Sequence, residues 1–324
     1  MSIFNSEEII NVQSPHDKLK IYYAGFDFDD FRQDELIDKI LDVLVDFSFG
    51  FHKGILEDKY DIRKLREAAR SIYKIDSFKK SRKKYIDEDS EYDDIEDKYL
   101  KRGEFGELIL HLLLRDFHNS LPLLSKIHFK DSRGHTVHGF DAVHIAPDIR
   151  DNSKFSLWLG ESKLYKDGKS GVKELTKDIS EHFKKNYLRD EFTLVSKKID
   201  VGFYTLEQFK DLNKQEEYED FLSKKDEWLR KIDEKEKLQD ILSSVTVPLL
   251  CTYTSNTFNK HTDETTKEFL ESLEKEITEI EEHFYKHLSV PEPITDLNII
   301  LLLFPLPSKK DLVKYLHKEL EKLQ

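Results

Sequence analysis

The chain has 324 residues, 38% hydrophobic and 12% aromatic, which is material for a large core; 36% charged residues and only 11 glycines point to many solvated helices. A single cysteine, Cys251, excludes an internal disulfide framework and a cysteine-based zinc cluster, so a reduced cytoplasmic setting is expected. A net charge of −13 at pH 7 excludes a general nucleic-acid coat, because phosphate binding draws on Lys and Arg.

The opening stretch, MSIFNSEEIINVQSPHDK, has no basic segment followed by an apolar one, so no signal peptide is expected. Residues 18–25, KLKIYYAG, predict a strand, and apolar residues at Leu36, Ile37, Ile40, Leu41, Leu44 and Val45 predict one amphipathic helix from about Gln33 to Phe47. A second helix is expected from about Asp61 to Tyr73. A charge switch follows, KKSRKKY (79–85) and then IDEDSEYDDIEDKY (86–99), which reads as a solvated surface before it reads as a lure for a basic partner.

From Gly103 the pattern becomes a helix (EFGELILHLLLRDF), a hairpin-like pair (HTVHGFDAVHIA and KFSLWLGESKLY) joined by the turn-forming PDIRDNS, and another helix (VKELTKDISEHFKKNYL). Residues 214–242, rich in Glu and Lys, predict one or two exposed helices. VTVPLLCTYT (245–254) predicts a strand, residues around 264–287 a helix, LNIILLLF a strand and KKDLVKYLHKELEKLQ a closing helix. The longest apolar run, IILLLF at 299–304, is too short to cross a bilayer, so no membrane contact is expected. No fixed-period repeat is present, and the order of elements is mixed α/β.

The chain lacks GxxxxGK[ST], HExxH, GxSxG and GxGxxG, so no nucleotide is expected to bind. Chemistry concentrates in SLWLGESKLY (156–165). On a strand, Leu157, Leu159, Glu161 and Lys163 share one face, which places a carboxylate and an ammonium inside an apolar run. Ionised groups in such a run are normally paired, metal-bound or used in chemistry. Asp141, on the predicted partner strand, brings a second carboxylate within reach of one ion. Two carboxylates, a main-chain carbonyl at Ser162 and waters suit Mg²⁺, with Mn²⁺ able to substitute. Lys163 would hold or help deprotonate a water there, its pKa lowered by burial and the nearby cation. Taken alone, an ExK on a strand is usually a surface ion pair; the apolar flanks, Asp141 and the acidic start of the preceding helix raise it above that.

Glu104 and Glu107 share a face of that helix, with His111 one turn beyond Glu107. Glu107, the deeper of the two, is preferred as a third carboxylate, against the reading that both serve the helix dipole. His111 reads as a core histidine. His138 and His144 lie three residues either side of Asp141 and share no strand face with it, which speaks for packing or substrate contact over a metal site. Lys173, Lys177, Lys184 and Lys185 follow on the next helix; the first three recur at near-helical spacing and suit either phosphate contact or a solvated face. Residues 126–200 carry 15 Lys and Arg against 12 Asp and Glu, so this segment leans basic in an acidic chain.

RGEFGELILHLLLRDF, HGFDAVH and LWLGESKLYKDG, in this order, resemble the nuclease core of the HamA family, the effector subunits of the Hachiman and related Abp antiphage systems, within the PD-(D/E)xK nuclease superfamily. The resemblance is clear over about residues 100–200. It implies a restriction-endonuclease-like core with a mixed central sheet flanked by helices. It gives Asp141 and Glu161 the metal, Lys163 catalysis and Glu107 the helix glutamate. Phe140 stands where the superfamily often has proline, a place where proline is dispensable. The implied activity is Mg²⁺-dependent DNA cleavage under a partner helicase, HamB. The chain then divides into an α/β elaboration suited to partner docking (1–100), the nuclease core (101–205) and a helical and strand elaboration completing the fold (206–324). A standalone Mrr-like restriction endonuclease and a catalytically silent adaptor of the helicase are the alternatives.

Overall fold

A computed structural model describes residues 6–49, 62–73, 76–87, 104–122, 140–149, 151–183, 245–289 and 297–324, with single helical positions at 219, 223, 227 and 230. In chain order the strands are β1 (Ile10–His16), β2 (Leu19–Ala24), β3 (Phe26–Asp27), β4 (Asp30–Phe31), β5 (Leu121–Pro122), β6 (Ala142–Asp148), β7 (Asp151–Tyr165), β8 (Val245–Thr254) and β9 (Asn298–Leu306). The α-helices are α1 (Gln33–Asp42), α2 (Leu44–Phe49), α3 (Ile62–Ile72), α4 (Asp76–Arg82), α5 (Glu104–His118), α6 (Gly168–His182), α7 (Lys267–His287) and α8 (Lys309–Lys322).

Seven strands form one mixed sheet in the order β1-β2-β9-β8-β7-β6-β5. β2, β9, β8 and β7 run parallel to one another, while β1, β6 and β5 pair antiparallel with their neighbours. The small β3–β4 ladder stands apart. Strand alternation separates two cores. Tyr22, Ala142, Trp158, Leu164, Leu250, Leu302 and Phe304 point to the layer made by α1–α5 and α8. Ile21, Val143, Leu157, Leu159, Val247, Leu249 and Leu301 point to the layer of α6 and α7. The result is the mixed sheet flanked by helices that the sequence implied.

β8, which lies between two parallel partners, is buried on both faces, which accounts for the nearly unbroken apolar run VTVPLLCTYT. Pro248 inside it cannot donate to a ladder. β7 pairs Trp158 with Thr246 and resumes at Glu161 with Leu249, so Pro248 falls opposite Gly160. A Cβ at Gly160 would stand 2.9 Å from Leu110 Cδ2, 3.2 Å from Ala142 Cβ and 3.3 Å from Pro248 Cγ, which makes glycine the residue that fits just before Glu161.

Two expectations differ in detail. The single helix over 33–47 is two, broken at Val43. Val43, Leu44, Val45 and Phe47 are all buried, and a continuous helix would point some of these consecutive residues at solvent. The basic half of the charge switch lies in α4 and a π-helical turn at Lys83–Asp87; of its acidic half (86–99), residues 88–99 lie outside the described residues. Of the expected helices at 214–242, the four described positions are helical and exposed.

Candidate active site

Asp141 sits one residue before β6, where Ala142 pairs with Gly160 of β7. Its Oδ2 accepts hydrogen bonds from the Ser162 backbone N–H (2.9 Å) and hydroxyl (2.8 Å), which ties the carboxylate across the two strands. Ser162 faces the α5 side, where a Cβ on Gly106 would lie 3.3 Å from its Oγ. Glycine at 106 thus lets α5 approach the strand that carries the site.

Glu161 and Lys163 point the other way, towards α6. Glu161 is 3% exposed and its Oε1 lies 2.7 Å from His182 Nδ1. The Lys163 ammonium forms an ion pair with Asp178. The His182 ring also meets Phe140 edge-on, with ring centres 5.5 Å apart. α6 begins immediately after β7, fixed by an Asp167 cap whose carboxylate accepts from Ser170 N–H at 2.7 Å, and it returns along the strand.

Burial, reinforced by the Asp141 charge, pushes the Glu161 carboxyl up to about 7, against the restraining pull of His182 and Lys163. Burial lowers the Lys163 ammonium, but Glu161, Asp141 and Asp178 outweigh it and raise its pKa above the ordinary lysine value. The expectation of a lowered lysine pKa is therefore corrected. Three carboxylates surround this ammonium, and they keep the proton on it. His182 likewise loses to burial and gains more from Glu161, Asp178 and Asp141, so it is raised.

The donor set fits a hard cation. Asp141 and Glu161 are close enough for one to perturb the other, and both offer oxygen. Among the described residues no three of His, Cys, Asp and Glu are gathered into a metal cage. Mg²⁺ asks for no such cage, since it keeps several waters and binds through one or two carboxylates. A carboxyl pushed towards protonation by burial is also one that a neighbouring cation would return to its charged form.

Glu107 is half-buried on α5, which packs on the face of β7 opposite Glu161 and Lys163. Glu104 starts the same helix, and its side chain lies outside the described residues. His111 is a buried core residue, with Nδ1 at 3.1 Å from His144 Nε2; His144 in turn meets Ser120 Oγ at 2.8 Å. Burial lowers His144 to about 3, so it is a neutral packing residue. His138, Lys184 and Lys185 lie outside the described residues. Lys177 bonds Glu174 at 2.8 Å on an exposed face, and Lys173 is exposed beside it.

Sequence reasoning passed over Asp178 and His182. The signal was present: they stand four residues apart, beside the buried stripe Val172, Leu175 and Ile179, and so share the helix face that meets the sheet.

A helix-flanked mixed sheet, with two acids and a lysine gathered where β6 and β7 meet α6, defines an α/β protein with a buried ionisable centre. The HamA family model matches residues 1–320, and the chain belongs to the HamA family. With the family comes a role in Hachiman antiphage defence. No curated protein and no solved structure matches the chain. Among the described residues, no helix is long and apolar enough to cross a membrane.

Proposed function

We propose that this HamA-family chain is a divalent-metal-dependent DNA nuclease of the PD-(D/E)xK type, the effector of the defence system, held and regulated by the helicase HamB. The observation that carries this reading is the grouping of the buried Glu161 with the partly buried Asp141 and Lys163 at the meeting of β6, β7 and α6. Asp141 and Glu161 would hold Mg²⁺ or Mn²⁺, with the Ser162 carbonyl as a further oxygen donor, while Glu107, expected as a third carboxylate, stands on α5 across the sheet from Glu161. When bound, the ion lowers the pKa of the attacking water and neutralises charge building on the phosphate. Lys163, held as an ammonium, donates hydrogen bonds to the incoming oxygen or the phosphate and so orients the attack. Two hydrogen bonds from Ser162 hold the Asp141 carboxylate in place, and so would fix it for a cation.

A silent adaptor of the helicase would have no use for this cluster, because burying ions costs several kcal/mol each before their partners repay it. ATP use and much of the grip on DNA fall to the partner, consistent with an acidic chain that has no nucleotide motif. The test is plasmid degradation with Mg²⁺ and then EDTA. Wild type is expected to degrade DNA only with metal, and Glu161→Ala and Lys163→Ala to lose about a hundredfold or more. Equal activity in all three proteins rejects the site. Copurification with the neighbouring helicase separates the regulated effector from a standalone Mrr-like enzyme.

A further inference from the structure

We propose that Asp178 and His182 are positioning residues for this centre: Asp178 holds the Lys163 ammonium in place, and His182 holds the Glu161 carboxylate. The inference rests on the reading of Asp141, Glu161 and Lys163 as the hydrolytic centre.

The geometry of a strand followed by a returning helix makes the match. Two residues along a strand advance about 6.7 Å, and four along a helix about 6 Å. Glu161 and Lys163 are two apart on β7, while Asp178 and His182 are four apart on α6. Because α6 runs back along β7, the order reverses: Lys163 meets Asp178, and Glu161 meets His182. One helical turn thus delivers two partners of opposite charge to two side chains on one strand face.

α6 is seated firmly enough to transmit position. A Cβ on Gly171 would lie 2.5 Å from Cys251 Sγ, and one on Gly168 2.5 Å from Ile280 Cδ1, so the first turn lies tight against β8 and α7. Val172, Leu175, Ile179 and Phe183 are fully buried along the same face. All four side chains of the two pairs are at most 22% exposed, so solvent competes weakly with them.

Each contact removes a freedom that hydrolysis would otherwise have to overcome. A lysine side chain has wide rotamer choice, and Asp178 narrows it to the rotamer that reaches the centre. His182 Nδ1 lies 2.7 Å from Oε1 of Glu161, a contact that would restrain the carboxylate as it holds a cation. Partners of this kind orient metal-binding carboxylates elsewhere, and their loss costs about ten- to a hundredfold in metal affinity or activity.

The experiment uses the full-length chain and the variants His182→Ala, His182→Gln and Asp178→Asn. Mn²⁺ binding is read by electron paramagnetic resonance, plasmid cleavage as separate kcat and KM, and folding by thermal melting. His182→Ala is expected to weaken Mn²⁺ binding about ten- to a hundredfold, with most of it recovered in His182→Gln, which keeps an N–H donor. Asp178→Asn is expected to keep Mn²⁺ affinity and KM while lowering kcat about ten- to a hundredfold. Wild-type affinity in His182→Ala together with wild-type kcat in Asp178→Asn overturns the proposal, and so do losses that merely track a lowered melting temperature. If no protein cleaves DNA but His182→Ala still loses Mn²⁺, the nuclease reading fails and the positioning of Glu161 stands. If wild type binds no Mn²⁺, both are overturned.

Discussion

Glu161 owes its behaviour to where β7 places it. The residue shares a face with Leu157 and Leu159, so its carboxyl is taken from water at the edge of an apolar layer, and Asp141 adds a second negative charge. The folded chain therefore holds Glu161 with a pKa of about 7, above the ordinary 4.5. A carboxyl raised on folding gives stability that is complete below pH 4.5 and is lost as pH rises through about 7, because the unfolded chain gives up its proton first. The raised His182 acts in the same direction. In EDTA, wild type is expected to lose stability between pH 5 and pH 8 relative to Glu161→Gln, the gap widening by roughly 1 kcal/mol or more. Denaturant midpoints at the two pH values check this. A gap that stays constant, or that narrows with pH, contradicts the burial argument. The shared face of Glu161 and Lys163 was legible from strand period alone. The charge state of Lys163 was not, since the carboxylate that completes its surroundings, Asp178, is fifteen positions away on another element.

At the scale of elements, the site depends on how closely β7 is approached from both sides. α5 presses on one face of β7 at Gly106, α6 packs on the other face of the sheet with Gly171 near Tyr165 of β7 and tight against Cys251 of β8, and Pro248 of β8 leans on Gly160. Gly160→Ala would place a methyl group against Leu110, which can turn aside, and against Ala142 and Pro248, which cannot. Such overpacking is expected to cost about 1–3 kcal/mol, seen as a lower denaturant midpoint with unchanged slope. A neutral Gly160→Ala would show that β7 and β8 can separate at this point without penalty. The hairpin of β6 and β7, α6 and the parallel strands β8 and β9 were all legible as local patterns. The break at Val43 was not, because it goes with the burial of the consecutive Val43, Leu44 and Val45 in the core, which one continuous helix would not bury together.

Over the whole molecule, one sheet is assembled from distant parts of the chain. β7, which carries Glu161 and Lys163, takes its parallel partner β8 from the last third, and β9 then joins it to β2 near the N-terminus. A fragment limited to residues 101–205 would leave one edge of β7 unpaired and would lack α7, α8 and the N-terminal helices that cover the two faces. That fragment is expected to show no cooperative unfolding transition, whereas the full chain shows one; circular dichroism during thermal melting distinguishes them. A sharp transition in the fragment would make the central segment an independent folding unit. The charge is distributed on the same scale: residues 126–200 lean basic while the remainder carries the acidic excess. A chain so charged gains little DNA affinity from the segments that carry the acidic excess.

The sequence by itself determined the kind and approximate place of many of the regular elements, though not of β1, β5 or the short α4, together with the common face of Glu161 and Lys163 and the family motifs around Asp141. These depend on backbone periods of 2.0 and 3.6 residues, which are written along the chain and need no distant partner. Only the tertiary structure decided that Ser162 anchors Asp141, that Asp178 and His182 meet the lysine and the acid, and that strands from three segments share one sheet. Pairing and ionisation arise between groups far apart in the chain. Their strength depends on distance and burial, quantities that exist only once the chain has folded.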